Sequence, residues 1–185
     1  MTTTSRRKTY RHGNLKADAL LAAYGLVAKG GHDALSLRQV ADAVGVAHRS
    51  LYNHFADREA LLDAVATEAY TRLGIILTEA QDPQGYIEKY VRFALANRAI
   101  YALMASRPHA TMKHNPPLQT AVHVGITEAM RIFCADIQTS AERRREVMKI
   151  YMILYSGISL YAAGILDLPS EKALVTELSA MSARI

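Results

Sequence analysis

From Asn14 onward, apolar side chains recur at helical spacing along most of the chain. Leu15, Ala19, Ala22, Ala23, Leu26 and Val27 line one face of a first helix. Asn14 stands as its N-cap, and Gly30-Gly31 supplies the left-handed stop. Ser36-Leu37-Arg38-Gln39 has the S-x-x-Q form of a capping box and opens a short helix carrying Leu37, Val40, Ala41 and Val44. Gly45 ends it, and Val46 leads into VAHRSLYNHF (46–55), anchored by Val46, Leu51 and Phe55. Two short helices joined around one glycine must cross steeply, the helix-turn-helix arrangement. Ala41 would sit at their close approach, with Val40, Val44, Val46 and Leu51 locking the pair.

Asp57 caps a fourth helix with an apolar stripe of Leu61, Leu62, Val65, Ala69, Leu73 and Ile76, broken at Asp82-Pro83. No polar or Gly/Ser linker separates Phe55 from Asp82, so this helix is expected to couple the N-terminal unit rigidly to the remainder of the chain. Helices over 83–107 carry Tyr86, Tyr90, Phe93, Leu95, Tyr101, Leu103 and Met104, and PHATMKHNPP (108–117) reads as a loop. Two long helices come next, Pro117 to Gln138 and Ala141 to Leu166, then a short one from Ser170 to about Ser182. The second long helix has a stripe of Val147, Ile150, Tyr151, Leu154, Ile158, Tyr161 and Ile165, wide enough for core and partner together. Ser156, Gly157, Ala162, Ala163 and Gly164 would allow close helix approach. The pattern does not divide that stripe between monomer core and a second chain. The expected class is all-α.

Charge adds a direction. Through Leu62 there are nine Lys/Arg against five Asp/Glu; the remaining thirteen against twelve nearly cancel. Four of the nine cations, Arg6, Arg7, Lys8 and Arg11, fall in or beside residues 1–9, which have nothing to bury and read as a flexible basic arm. A basic end on a nearly neutral body points to an anionic partner met by that end. The single cysteine, Cys134, has no disulfide partner and no neighbours at zinc-ligand spacing, which fits a reducing cytoplasm. The basic start runs into HGNLKADALL rather than a signal peptide's apolar core. Ile150 to Leu166 is uncharged but too short and too polar for a membrane span, so a buried helix is expected.

VAHRSLYNHF carries the candidate chemistry. With Leu51 and Phe55 turned inward, His48, Arg49, Tyr52 and Asn53 lie outward or flanking, with no carboxylate among them. A helix that reads a major groove needs donors for base edges and phosphates, and no acid to repel the backbone. Arg49 can bond guanine through two donors, Asn53 can pair with adenine, and Tyr52 or His54 can reach phosphate. A mildly basic surface helix would show much the same pattern.

The flanks extend the case. YRHGNLKADALLAAYGLVAKGGHDALSLRQVADAVGVAHRSLYNHFADREALLDAV (10–65) closely resembles the DNA-binding domain of the tetracycline-repressor (TetR) family of transcriptional regulators. LSLRQVADAVGV and SLYNHFADREALL are its most specific pieces. The resemblance covers about a third of the chain. It implies an N-terminal three-helix helix-turn-helix domain over 10–56 and a C-terminal helical ligand-binding and dimerisation domain over 57–185, with helix 57–81 connecting the two. It implies that Ser36 and Arg38 touch DNA from the second helix. It places His48, Arg49, Ser50 and Asn53 on the recognition helix, and Tyr52, His54 and Arg58 where phosphates are held. His54 could instead pack under its turn, and Arg58 could simply pair with nearby acids. Ala47 departs from the family, where Ser or Thr often caps the recognition helix.

The family also implies a homodimer through helices near 117–138 and 141–166, a double-stranded DNA operator and a small-molecule effector. Between the middle helices, Tyr86, Tyr90, Phe93, Tyr101, Met104, Met112 and Tyr155 are candidates to line a pocket for a moderately apolar ligand, although aromatic and Met stripes more often make plain core. His109, His114 and His123 share no helical face, so no metal is expected, and no cofactor. No Ser/His/Asp set, HExxH or phosphate loop is recognisable, so an enzyme is not expected. The leading expectation is a ligand-responsive repressor on a pseudopalindromic operator; an activator, or a non-specific nucleic-acid-binding or interaction protein of the same fold, is the alternative.

Overall fold

The computed structural model describes residues 14–108 and 112–183. The basic arm and His109 therefore lie outside the described residues. Among those described there are nine helices and no strand. The chain divides into two compact units, Met1–Val65 and Ala66–Ile185.

The first unit contains α1 (Leu15–Gly30), α2 (Leu37–Val44), α3 (His48–Leu51) and the first turns of α4 (Arg58–Thr78). Ala19, Ala23 and Val27, four residues apart on α1, are fully buried. Small side chains there let α2 and α3 pack close. Asn14 occupies the N-cap position of α1, but its side chain makes no capping hydrogen bond, contrary to expectation. Gly31, at φ 78°, ends α1 and donates its N–H to the Val27 carbonyl.

The expected capping box at α2 is complete. The Ser36 hydroxyl accepts from the Gln39 N–H at 3.2 Å, and the Gln39 side chain accepts from the Ser36 N–H at 2.9 Å. At the other end Gly45 is left-handed, and two hydrogen bonds, Val46 N–H to Ala41 O and Gly45 N–H to Asp42 O, form a Schellman motif. Val40, Ala41, Leu51 and Phe55 are buried around that turn. Asp57 caps α4 by accepting from the Ala60 N–H at 2.8 Å.

The second unit holds the rest of α4 with α5 (Pro83–Ala96), α6 (Arg98–Ala105), α7 (Pro116–Phe133), α8 (Ser140–Ala162) and α9 (Glu171–Ser182). Asp82 caps α5 through the Gly85 N–H, with Pro83 at the first helical position, where a missing N–H costs nothing. The helices of this unit enclose a core that includes Ile87, Val91, Leu103, Leu118, Ile150 and Leu154.

Both long helices end earlier than their periodicity predicts. α7 stops at Phe133, because the 134–138 segment turns back. Ile137 is buried there, and its carbonyl accepts from Arg143 Nε at 2.8 Å. α8 stops at Ala162, where a second Schellman motif forms around Gly164 at φ 70°, with Ile165 N–H on Leu160 O and Gly164 N–H on Tyr161 O. Gly164 is thus a helix terminator and not a close-approach position.

Gly157 does serve close approach. A methyl group there would collide with the Leu178 side chain of α9, which is itself buried and would have to be displaced. Gly157→Ala is therefore expected to cost about 1–3 kcal/mol by overpacking, outweighing its helix-propensity gain. A urea midpoint at or above that of the unsubstituted protein would contradict this packing.

Candidate functional site

The first unit arranges its polar side chains around α3. That helix is a single turn, shorter than its apolar spacing predicts. The chain continues through a turn in which the N–H groups of His54 and Phe55 both donate to the Leu51 carbonyl. Ala47 gives no side-chain cap, as its identity requires. Leu51 and Phe55 are nonetheless buried, so the segment is held from beneath. Above them His48, Arg49, Tyr52, Asn53 and His54 are all exposed, and Ser50 is half-buried. The His48 and Tyr52 rings meet edge to face with centroids 5.2 Å apart, restricting where the Tyr52 hydroxyl can point. Arg38 is exposed on α2. Neither Arg38 nor Arg49 forms an ion pair among the described residues, so both guanidinium groups remain available to an anion.

Two of the expected DNA contacts are already committed elsewhere. Arg58 directs its guanidinium inward. Nε donates to the Leu35 carbonyl at 2.9 Å, Nη2 to His32 and Asp33 carbonyls at 2.7 and 3.2 Å, and Nη1 to the Glu59 carboxylate at 2.7 Å. It braces the α1–α2 loop. Ser36 directs its hydroxyl at Gln39, accepting from its N–H and donating to its Oε1 at 3.0 Å. Arg58→Gln is expected to remove about 1.5–3 kcal/mol of stability, the range for hydrogen bonds to a charged group. A normal melting temperature combined with weakened DNA binding would return Arg58 to the phosphate contacts.

In the second unit a cavity of about 440 Å³ lies among α4, α5, α7 and α8. Of the candidates for a ligand pocket, Tyr86, Tyr90 and Met112 line it. Tyr101 and Tyr155 line a different opening, and Phe93 and Met104 line neither and are buried core. Tyr70, Arg107 and Tyr151 also line the cavity; none was a pocket candidate, and Tyr151 was expected only in the stripe of the second long helix. Tyr70, Leu73, Gly74 and Leu77 share one face of α4, and that spacing around a glycine was the available signal.

The phenols are neutral and mostly tied down. Tyr70 donates to the Met104 carbonyl and Tyr86 to the Gly125 carbonyl, each at 3.1 Å. Burial pushes the hydroxyls of Tyr70, Tyr86 and Tyr90 well above the usual tyrosine range. Toward a ligand the Tyr70 and Tyr86 oxygens are therefore chiefly acceptors. Met148, Tyr151 and Met152, exposed on α8, form part of the lining. No group of metal-binding side chains occurs among the described residues, nor is any described helix long and apolar enough to cross a membrane.

Comparison with known proteins bears on both units. Residues 19–65 match the family model of bacterial regulatory proteins of the tetR family. A protein of unknown function from Rhodococcus sp. RHA1 is 30% identical, with a TM-score of 0.76 and coverage of 95% of this chain and 96% of that one. The chain belongs to the tetR family. Lower in identity, a TetR transcriptional regulator from Rhodococcus sp. RHA1 (17%, TM-score 0.68, 91% and 93% covered) shares the fold. So does a TetR variant from Acinetobacter baumannii AYE in complex with minocycline (21%, TM-score 0.64, 90% and 93% covered). No curated protein matches the chain. As a tetR-family protein it has the fold of a DNA-binding transcriptional regulator and is not an enzyme.

Proposed function

We propose that this tetR-family protein is a repressor that binds a pseudopalindromic operator as a homodimer and leaves it when a small molecule fills the 440 Å³ cavity. The observation that carries the reading is the exposed, acid-free ridge of His48, Arg49, Tyr52 and Asn53, standing on the buried Leu51 and Phe55. In this reading Arg49 and Asn53 meet base edges, while Arg38, His48, Ser50, Tyr52 and His54 meet base edges or phosphates. Ser36 and Arg58 shape the surface from behind. Residues 10–56 form the DNA-binding domain, 57–185 bind ligand and partner, and the protein works in the cytoplasm.

Two-fold pairing would set two such ridges into successive major grooves, about one helical turn apart or somewhat more. The exposed apolar side chains Met148, Tyr151 and Met152 on α8, with Val124 and Met130 on α7, supply the pairing face. The minocycline complex of the Acinetobacter protein is one instance of this fold holding a small molecule. Here the cavity's apolar walls and acceptor-rich phenols fit an uncharged, mostly apolar effector with a hydrogen-bond donor. Tyr70, Leu73 and Leu77 of α4 form one wall of that cavity. The effector releases DNA only to the extent that it prefers a conformation the operator does not.

The test is selection of operator sequences from a random pool, followed by a salt titration of binding to the winner and to random DNA. A specific regulator keeps a preference of about a thousandfold or more over random DNA. Parallel loss of both with rising salt would instead identify a non-specific binder.

A further inference from the structure

Two phenols at the larger cavity have hydroxyls that the fold leaves unmatched. The Tyr101 hydroxyl is sealed from solvent and makes no hydrogen bond among the described residues. The polar group beside it is the Tyr90 hydroxyl. The two rings meet edge to face with centroids 6.1 Å apart, and Tyr90 lies near enough to ease the ionisation of Tyr101. The Tyr90 side chain makes no hydrogen bond among the described residues either, but Tyr90 lines the cavity and its oxygen is not sealed. Burial keeps both phenols protonated.

That difference sets the direction of the pair. Each phenol carries one hydrogen and accepts through its lone pairs. Were Tyr90 to donate to Tyr101, the Tyr101 hydrogen would have no acceptor in a place that solvent does not reach. A buried donor without an acceptor costs its full desolvation penalty. Tyr101 therefore turns its hydrogen toward Tyr90, and the Tyr90 hydrogen is left for the cavity. Accepting one hydrogen bond also polarises an O–H toward donating the next. Tyr90 is thus the enclosed hydroxyl donor, whereas Tyr70 and Tyr86 have committed theirs to the Met104 and Gly125 carbonyls. The other donors in the lining, Arg107 and Tyr151, are partly exposed. The walls favour a flat ring. Tyr86 and Tyr90 lie near parallel with centroids 6.3 Å apart, and Met112, Met148 and Met152 bring polarisable sulfurs that settle well against aromatic rings. Ala121, Gly125 and Ala129, one turn apart on α7, add little bulk.

We infer that the effector is an uncharged hydroxyaryl ketone, whose ring hydroxyl donates to Tyr70 or Tyr86 and whose carbonyl accepts from Tyr90. The inference rests on the reading of this cavity as the effector site, and narrows the effector from an apolar donor to one that also carries an acceptor. The 440 Å³ volume lies within the ordinary range for small-molecule sites.

Four probes are titrated calorimetrically into the full chain: para-hydroxybenzophenone, para-hydroxyacetophenone, para-benzylphenol, which lacks the carbonyl, and para-benzylbenzoate, whose carboxylate suits Arg107 instead. At least one hydroxyketone is expected to saturate below about 1 mM. Hydroxybenzophenone should bind about tenfold more tightly than benzylphenol, a comparison that depends on no variant. Tyr90→Phe keeps the ring and removes the donor. It should weaken hydroxybenzophenone about tenfold and leave benzylphenol unchanged, a contrast that a general packing defect would not produce. Tyr101→Phe should weaken hydroxybenzophenone by a smaller factor. Saturation by neither ketone, equal binding of hydroxybenzophenone and benzylphenol, tightest binding by benzylbenzoate, or equal loss of both phenols in Tyr90→Phe would overturn the inference. A larger loss in Tyr101→Phe than in Tyr90→Phe would reverse the pair and overturn it equally. A ketone that binds through Tyr90 and leaves the operator complex intact would keep this assignment and sink the repressor reading. Operator release by a carbonyl-free molecule in this cavity would do the opposite.

Discussion

Arg49→Ala should cost operator binding about 1–3 kcal/mol in each half-site, the worth of a bidentate contact to a base pair. A homodimer suffers that loss twice. The combined effect is about thirtyfold at the least and reaches the point where the specific complex disappears from a gel. The expectation rests on where the side chain lies. Arg49 is exposed, has no acidic partner among the described residues, and sits one turn from Asn53 over a buried Leu51. No hydrogen bond or ion pair among the described residues depends on its guanidinium, so the melting temperature and the oligomeric state should not change. Arg49→Lys refines the test. It keeps the charge but loses the two-pronged geometry, so it should retain affinity for random DNA while losing discrimination at one base pair. Undiminished operator affinity in Arg49→Ala would remove this residue from the interface. An equal loss on operator and random DNA would make it a phosphate contact.

The helix-turn-helix was readable because its signals are local and chemical. Ser36 with Gln39, Gly45 and Asp57 each satisfy or terminate a particular backbone group, and each does so in the folded chain. Boundaries read from apolar periodicity alone were less secure. The stripe through α8 continues to Ile165, yet the helix has already ended, because Gly164 takes a left-handed conformation that periodicity does not register. The start of α8 carried an equally local sign. Thr139 caps it by accepting from the Glu142 N–H, while its hydroxyl donates to the Glu142 carboxylate, a T-x-x-E pattern as legible as S-x-x-Q.

The site was less legible than the fold, for a physical reason. Whether an arginine faces out to an anion or in to carbonyls depends on contacts distant in sequence. Arg49 and Arg58 look alike along the chain, yet Arg58 bonds to carbonyls twenty-three and more positions away. Cavity walls pose the same difficulty. Tyr86 and Tyr90 share a face of α5 and line one cavity, whereas Tyr101 and Tyr155 meet across the other opening. Helical spacing gives the face of each residue but not the gap between faces.

That spacing limit bears on the largest effect expected in the second unit. On α8, Ile150, Leu154 and Ile158 are buried, while Met148, Tyr151 and Met152 are exposed by half or more. If a second copy covers that surface, as proposed, Met152→Glu sets an unpaired carboxylate into each half of an apolar contact. Desolvating such a charge without a partner costs several kcal/mol. The dimer dissociation constant should therefore rise about a hundredfold or more in sedimentation equilibrium. Operator binding should collapse with it, because a lone protomer meets a single half-site and forfeits the other's contribution. Leu21→Glu is the control. It adds the same charge to an equally exposed apolar position on α1, outside the proposed pairing face, and should leave the dimer intact. A Met152→Glu protein that sediments as the unsubstituted one does would show that the α8 face is not the interface. An α8 face uninvolved in pairing would leave two-fold operator recognition without its geometric basis.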